Sequence, residues 1–400
     1  MSTRSHFLPG ATALLSLVLF AVSANIVFAS LVRMSATFGV SAQVMATVSS
    51  VQFTGFFAAS LIGGMLADAI GKKRVLQGGC LLVTLGAAVW SVAPSAAVAF
   101  AGGLVMGMGG GVLEAMSSAL LTDLYPTRRK LVINLSQVAY CAGAVSGPAL
   151  MGRLLPMGVS WRWFFGATAV CAAFLVVLYE LSSVPRPVRQ TASAEPVTSR
   201  GRSSLLLALT LPCSVIFLYV FAEMGTATFM TVYLHEVLAA PERWAIYSLS
   251  IFWAMMIIGR LLCALLPEHH GHERAIAFLM VAAAVAAVLQ LRVSTWQSSI
   301  LLFGLSGLTF AGTWPLIVSM VATRHASRSG TAVGVTVAFG SAGCIVAPAV
   351  ISPLFAKGYA GAMFAVAACA LAVGAGLVLL CPVLHRKLYC TEEATCHETV

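Results

Sequence analysis

Twelve long apolar runs, separated by short polar breaks, constrain this 400-residue chain more than any other feature. A helix needs about 20 apolar residues to cross the hydrocarbon of a bilayer. Inside lipid the backbone must also satisfy its own hydrogen bonds, which a helix does within one segment. The runs cover residues 9–32, 44–67, 75–92, 97–121, 132–155 and 161–183, then 205–234, 244–266, 275–291, 297–322, 331–355 and 361–384. Hydrophobic residues make up 60% of the chain and charged ones 9%, where a soluble domain carries about 25% charged. The first run is long and is followed by others at the same spacing, so it is read as a span and not as a signal peptide. The expected fold class is an all-α membrane protein with twelve transmembrane helices in two six-helix halves.

Composition changes between residues 184 and 204, where PRPVRQTASAEPVTSRGRSS carries three prolines and four arginines. Such a segment is expected to be a flexible, water-exposed linker. It divides the chain into a six-helix half over 1–183 and a second over 205–384, followed by a polar tail over 385–400 expected to lack fixed structure. The net charge of +10 does not point to a nucleic-acid partner, because Lys and Arg sit in brief clusters between apolar runs. With both termini in the cytoplasm, the inner set holds 17 of the 23 Lys and Arg: Arg4, Lys72, Lys73, Arg74, Arg128, Arg129, Lys130, Arg186, Arg189, Arg200, Arg202, Arg260, Arg274, Arg324, Arg328, Arg386 and Lys387. Arg33, Arg153, Arg162, Arg243, Arg292 and Lys357 are left outside. The ten cysteines show no zinc-type spacing and lie mostly inside apolar runs, so they are read as reduced, small hydrophobes.

The stretch from span 4 into span 5 carries the strongest chemical signal. At 100° per residue, Gly103, Gly107, Gly110, Glu114, Ser117 and Ser118 share one helix face, and Val105, Met108, Val112 and Met116 fall opposite. A charged residue at mid-membrane costs roughly 2.5–3.5 kcal/mol on insertion scales, so Glu114 is expected to face protein or a polar cavity. A carboxylate paired to another helix purely for packing is the plainer alternative. Glu223 in span 7 is the second intramembrane acid, on a face shared with Tyr219 and Thr226. Glu180 lies near the end of span 6, where water can reach it. Trp314 and Pro315 are placed to break span 10. The loop EHHGHE over 268–273 lacks the fixed geometry of a metal site, and neither metal nor cofactor is expected. No GxxxxGK[ST] phosphate loop is present.

The two halves echo each other at an offset of 200, which pairs Gly107 with Gly307, Arg128 with Arg328, Gly143 with Gly343, Pro148 with Pro348 and Phe164 with Phe364, and sets Trp314 opposite Glu114. Parallel six-span repeats are the mark of a transporter whose halves rock about a midplane site. The end of span 2, GGMLADAIGKKRVL, resembles the loop signature of the major facilitator superfamily, with Gly64, Leu66, Asp68, Gly71, Lys72, Lys73 and Arg74 at matching positions. A degraded echo, IIGRLLCALLPEHHGHERAI, lies in span 8 and the loop after it, with no acid at the Asp68 equivalent. The resemblance covers essentially the whole chain and implies the major facilitator fold, with the loop residues governing helix rearrangement; physically, the small Gly64 is expected to let helices approach. Within that superfamily the chain is most similar to fucose/hexose–proton symporter-like members, through Glu114, LYPTRRKLVINLSQVAYCAGAVSGP, FAEMGTATFMTVYL and GLTFAGTWPLIVSM. Where those members carry an acid in span 1, this chain has Asn25. The glycine-proline stretch GAVSGPAL, with Gly143, Gly147 and Pro148, also resembles a span-5 motif of the antiporter branch. There Pro148, and Pro348 in the other half, would remove a helix hydrogen bond and the glycines would allow packing and bending.

These features together lead to a secondary transporter of a small polar solute, with a sugar implied by the resemblance, working by alternating access. Glu114, Glu223, Asn25, Gln137, Tyr140, Tyr219 and Trp314 are the candidate solute- and proton-binding residues. Desolvation penalises the charged form of an acid, so Glu114 or Glu223 can carry a coupling proton. The expected partners are solute, proton and lipid; the expected state is a monomer in a bacterial inner membrane. Proton-driven export of an amphiphilic compound is the second transport reading, and a membrane sensor that moves nothing is a reading of another class. An enzyme is not expected. The topology predicts that a cysteine placed between residues 186 and 204 reacts with an impermeant thiol reagent only after the inner face is exposed; labelling from outside intact cells overturns the orientation.

Overall fold

The computed structural model describes residues 4–125, 127, 129–184, 199–265, 272–324 and 329–397. Twelve helices long and apolar enough to cross a membrane occur among them. Spans 1–6 are Phe7–Phe38, Ala42–Ala67, Lys72–Val92, Ala96–Leu124, Leu135–Met157 and Trp161–Leu181; spans 7–12 are Leu209–Val237, Glu242–Cys263, His272–Gln290, Trp296–Arg324, Ala332–Ala356 and Ala362–Leu380. Apolar composition along each run makes the helix, and small polar breaks end it: Gly71 stops span 2 at φ +90°, and Gly158 and Gly358 close spans 5 and 11 at φ +89°. Span 10 is two helices, Trp296–Phe310 and Thr313–Arg324, with the break at Ala311–Gly312 and Pro315 in the first turn of the second piece. Proline is tolerated there because first-turn N–H groups have no helical partner.

Two expectations are corrected. The helix leading into span 7 starts at Ser199, inside the segment read as linker, and the helix of span 12 continues to His397 through the tail. Residues 185–198 and 266–271 lie outside the described residues, and with them most of the linker and of the histidine-rich loop; His272 and Glu273 are described and bond to Ser319 and Arg324 of span 10. On span 4, Val112 and Met116, opposite Glu114, are also buried, and the helix is packed on most sides.

Glycines set how closely the helices pack. A Cβ at Gly107 would collide with the Gln52 carbonyl of span 2, and one at Gly307 with the Phe252 carbonyl of span 8. Gly143 lies on the Val18 carbonyl of span 1, and Gly343 on the Phe217 carbonyl of span 7. The offset of about 200 therefore recurs in both members of each contact, so the halves repeat in three dimensions as well as in letters. Gly64 has no such role: a Cβ there would meet nothing within 4 Å, which corrects the expectation that it lets helices approach.

Several polar contacts join the halves at the end away from the linker. Arg33 at the end of span 1 grips Glu242 at the start of span 8 through Nε and Nη2, 2.5 Å to each carboxylate oxygen. Gln43 Nε2 donates to Glu236 Oε2 at 3.0 Å, Ser352 Oγ to Gln43 O at 2.6 Å and Thr231 Oγ1 to Phe28 O at 2.8 Å. At the linker end the ion pairs among the described residues stay within one half: Lys72–Asp123, Lys73–Glu180 and Arg324–Glu273.

Two outcomes are expected. Gly107→Ala must push spans 2 and 4 apart, costing about 1–3 kcal/mol and lowering the thermal midpoint in detergent by several degrees, while Gly64→Ala leaves it unchanged; equal effects would refute the packing assignment. Arg33→Gln should shift the population toward opening at the far end, read as a longer spin-label distance between positions 44 and 237.

Candidate functional site

Two acids and one arginine from both halves share the centre of the molecule. Span 4 brings Glu114 in, half-buried, because its glycines let it sink against Phe20 of span 1 and Gln52 and Phe56 of span 2. Span 7 brings in Glu223, 6% exposed. The positive charge of Arg260, from span 8, acts on both carboxylates. Sequence reasoning counted Arg260 among the loop cations; it lies instead inside span 8 and crosses to the other half. Its Nη1 lies 3.0 Å from Cys141 Sγ, 3.3 Å from Gln137 Oε1 and 3.4 Å from Gln137 O, all in span 5. The signal was available: Arg260 follows an unbroken apolar run and is itself followed by LLCALL, so it is an intramembrane cation by position.

Tyr219 lies beside Glu223, and its hydroxyl donates to Phe310 O at 3.1 Å. Tyr140 is half-buried next to Cys141 and feels both acids, as does Cys344 of span 11. Rings connect these groups. Phe56 stacks on Phe20 at 5.4 Å between centroids, Phe20 meets Tyr140 at 5.7 Å, and Tyr140 meets Trp253 edge-on at 5.7 Å. Trp253 then contacts Phe252 at 5.4 Å, Phe252 contacts Phe310 at 6.1 Å, and Phe310 reaches Tyr219 at 5.7 Å. The run of rings begins in span 2, crosses between halves at Tyr140–Trp253 and ends one turn from Glu223.

The other candidates are placed less centrally. Asn25 is fully buried; its Nδ2 donates to Ala21 O of its own helix at 2.9 Å, and its Oδ1 has no partner. Trp314 packs over Gly340 of span 11. Pro148 sits within the helix of span 5, Gly147 faces Ile26 and Val22 of span 1, and nearby Val145 O accepts from Ser250 Oγ of span 8 at 2.9 Å. Pro348 sits at the equivalent point of span 11. In the loop after span 2, Lys72 Nζ reaches Asp123 Oδ2 at 2.5 Å and Ala119 O at 3.3 Å, and Lys73 Nζ reaches Glu180 O at 2.8 Å. The basic residues therefore tie the start of span 3 to the ends of spans 4 and 6, and Glu180, exposed as expected, also accepts from Gln77 at 2.7 Å. Arg74 is exposed, and the side chain of Asp68 lies outside the described residues.

Chemically, the arrangement offers groups that can take and release a proton, one fixed cation and an aromatic wall. Among the described residues no group of three or more His, Cys, Asp or Glu is placed to hold a metal.

Solved structures share this fold. The xylose transporter XylE from E. coli, in a partially occluded inward-open conformation, matches with a TM-score of 0.74 at 13% identity, covering 93% of this chain and 97% of that one. A D-xylose–proton symporter matches with a TM-score of 0.75 at 14% identity, covering 94% and 97%. By sequence, Multidrug resistance protein MdtL of Escherichia coli is 28% identical over 212 residues, 51% of this chain and 54% of that one. Multidrug resistance protein B homolog of Mycobacterium tuberculosis is 35% identical over 103 residues, 26% of this chain and 19% of that one. The chain thus spans about half the length, or less, of the curated relatives it matches. The family model described as Major Facilitator Superfamily matches residues 13–348. With twelve membrane-spanning helices in two repeated halves around a shared polar centre, this chain belongs to the Major Facilitator Superfamily.

Proposed function

We propose that this transporter moves a small amphiphilic organic solute by alternating access, with Glu114 or Glu223 carrying a coupling proton. The observation that carries this reading is the run of rings from Phe56 to Tyr219, which crosses between the halves beside both acids. Aromatic walls hold apolar bodies, and a few convergent polar groups set orientation. The names of the curated relatives, which refer to multidrug resistance, support a drug-like solute. A bacterial inner-membrane setting, with the linker and both termini in the cytoplasm and a monomer as the working unit, completes the proposal.

Sugar transport is the second reading. It is favoured by two buried amide oxygens without partners, Asn25 Oδ1 and Gln52 Oε1, which sugar hydroxyls could satisfy. Against it, Asn25 Nδ2 is engaged with Ala21 O and Gln137 Oε1 with Arg260. A sugar needs many hydrogen-bond partners at once, and a site that cannot supply them loses affinity for each one missing.

Vesicles containing the purified chain and an internal pH dye separate the readings. Aromatic amphiphiles are expected to evoke proton movement and monosaccharides none; the converse establishes the sugar reading, and silence to both supports a sensor. The sign of the pH change shows whether solute and proton move together or in opposite directions. The amide of Glu114→Gln or Glu223→Gln keeps size and hydrogen bonding but cannot titrate. In the variant of the proton carrier, solute-for-solute exchange should persist while accumulation against a gradient is lost. Equal loss of both would assign that residue to solute binding, and unchanged accumulation would remove it as the coupling site.

A further inference from the structure

Arg260 uses one nitrogen of its guanidinium and leaves the rest open. Nη1 is committed to Gln137 and Cys141 of span 5. Nε is buried with no partner, and Nη2 makes no hydrogen bond to a described residue. Nε and Nη2 form the edge of a guanidinium that takes a carboxylate through two parallel bonds. The same chain shows that edge in use, where Arg33 Nε and Nη2 each donate to one oxygen of Glu242. On Arg260 the equivalent fork is unpaired among the described residues, with Nε enclosed by protein.

The groups facing this arginine are Glu114 from span 4, Glu223 and Tyr219 from span 7, and Tyr140 and Cys141 from span 5, while Cys344 from span 11 lies near the two acids. Its charge acts on both carboxylates, yet neither forms a close ion pair with it among the described residues. Trp253 lies two turns earlier on the same face of span 8, a rise of about 10 Å at Cα, and helical side chains lean toward the N-terminus. Tyr140, whose ring meets Trp253 edge-on, immediately precedes Cys141, which the arginine reaches.

We infer that the open edge of Arg260 is a subsite for the carboxylate of an aromatic acid, whose ring lies against Tyr140. This rests on the proposed transport of an amphiphilic solute and names its class. Ionised Glu114 and Glu223 repel a further anion and compete for the arginine; protonating either removes that opposition. Proton and acid therefore favour each other's binding, by an equal factor in both directions, and move across the membrane together.

The test measures binding of 3-phenylpropionate, its neutral amide and 3-phenylpropylamine to the purified full chain by calorimetry, at about pH 6 and about pH 8, where the free acid is ionised throughout. The acid is expected to bind at least about tenfold tighter than the other two, and tighter at the lower pH, as charge-assisted paired bonds require. Arg260→Gln should abolish the preference for acid over amide. Arg260→Lys, which keeps the charge but not the fork, should weaken the acid alone. Absence of acid binding, amide or amine binding as well as the acid, or an unchanged Arg260→Lys variant overturns the assignment. If vesicles move protons with neutral or cationic amphiphiles while the acid does not bind, the transport reading stands and this subsite falls.

Discussion

A charged side chain at the depth of the hydrocarbon is tolerated only where protein groups or a water-filled cavity receive it. Three such groups, Glu114, Glu223 and Arg260, come from spans 4, 7 and 8, so each half brings charge that the other half helps to accommodate. Arg260 also hydrogen-bonds across the boundary to span 5. Moving one half against the other therefore changes the surroundings of all three at once. Breaking a buried pairing by removing one partner leaves an uncompensated charge, which is the costly outcome, and under the proposed coupling that is how a local proton bears on the arrangement of twelve helices.

The glycines make this centre reachable. In lipid the helices are drawn together by van der Waals contact rather than by apolar burial, so small residues that let backbones touch carry much of the packing. Gly107 and Gly111 set span 4 directly on the carbonyls of Gln52 and Phe56, and Gly110 seats it on the Phe20 ring. Gly307 repeats the contact in the second half. The chemistry does not follow the repeat: Glu114 is matched by Trp314, which packs on Gly340. Symmetry governs the scaffold, and single substitutions within it place the charge.

The twelve spans were legible because bilayer thickness demands long apolar runs, and the two acids because an acid inside such a run is conspicuous. Asn25 stood out for the same reason and proved buried. Arg260 was hidden by the rule that makes topology legible: near the end of a span, an arginine reads as a loop cation. Only the fold reveals that its side chain turns inward to Gln137. The glycine of the span-2 loop misled in the opposite way, since Gly64 matches a family pattern yet meets nothing, while Gly107, Gly111 and Gly143 bear the backbone contacts. Spacing along one helix shows which residues share a face but not which neighbour that face meets, so it left open that Val112 and Met116 are buried as well. The helices through Ser199 and His397 were missed because prolines and charges argue locally against helix, and a helix anchored in the membrane can extend past them.

The end away from the linker is held differently from the centre. Arg33–Glu242 and Gln43–Glu236 lie at the exposed rim, where water can replace each partner and a single ion pair is worth little. Such contacts can hold one arrangement in preference to another without locking it. The central groups have no such easy replacement, because what they lose on separation must be supplied by protein, by solute or, in the proposed mechanism, by a proton. A ligand shifts a two-state equilibrium only by its differential affinity for the two states. Under the proposed alternating access, the rim keeps the two arrangements close in free energy, and the difference that solute and proton act on resides where spans 4, 5, 7 and 8 share the same three charges.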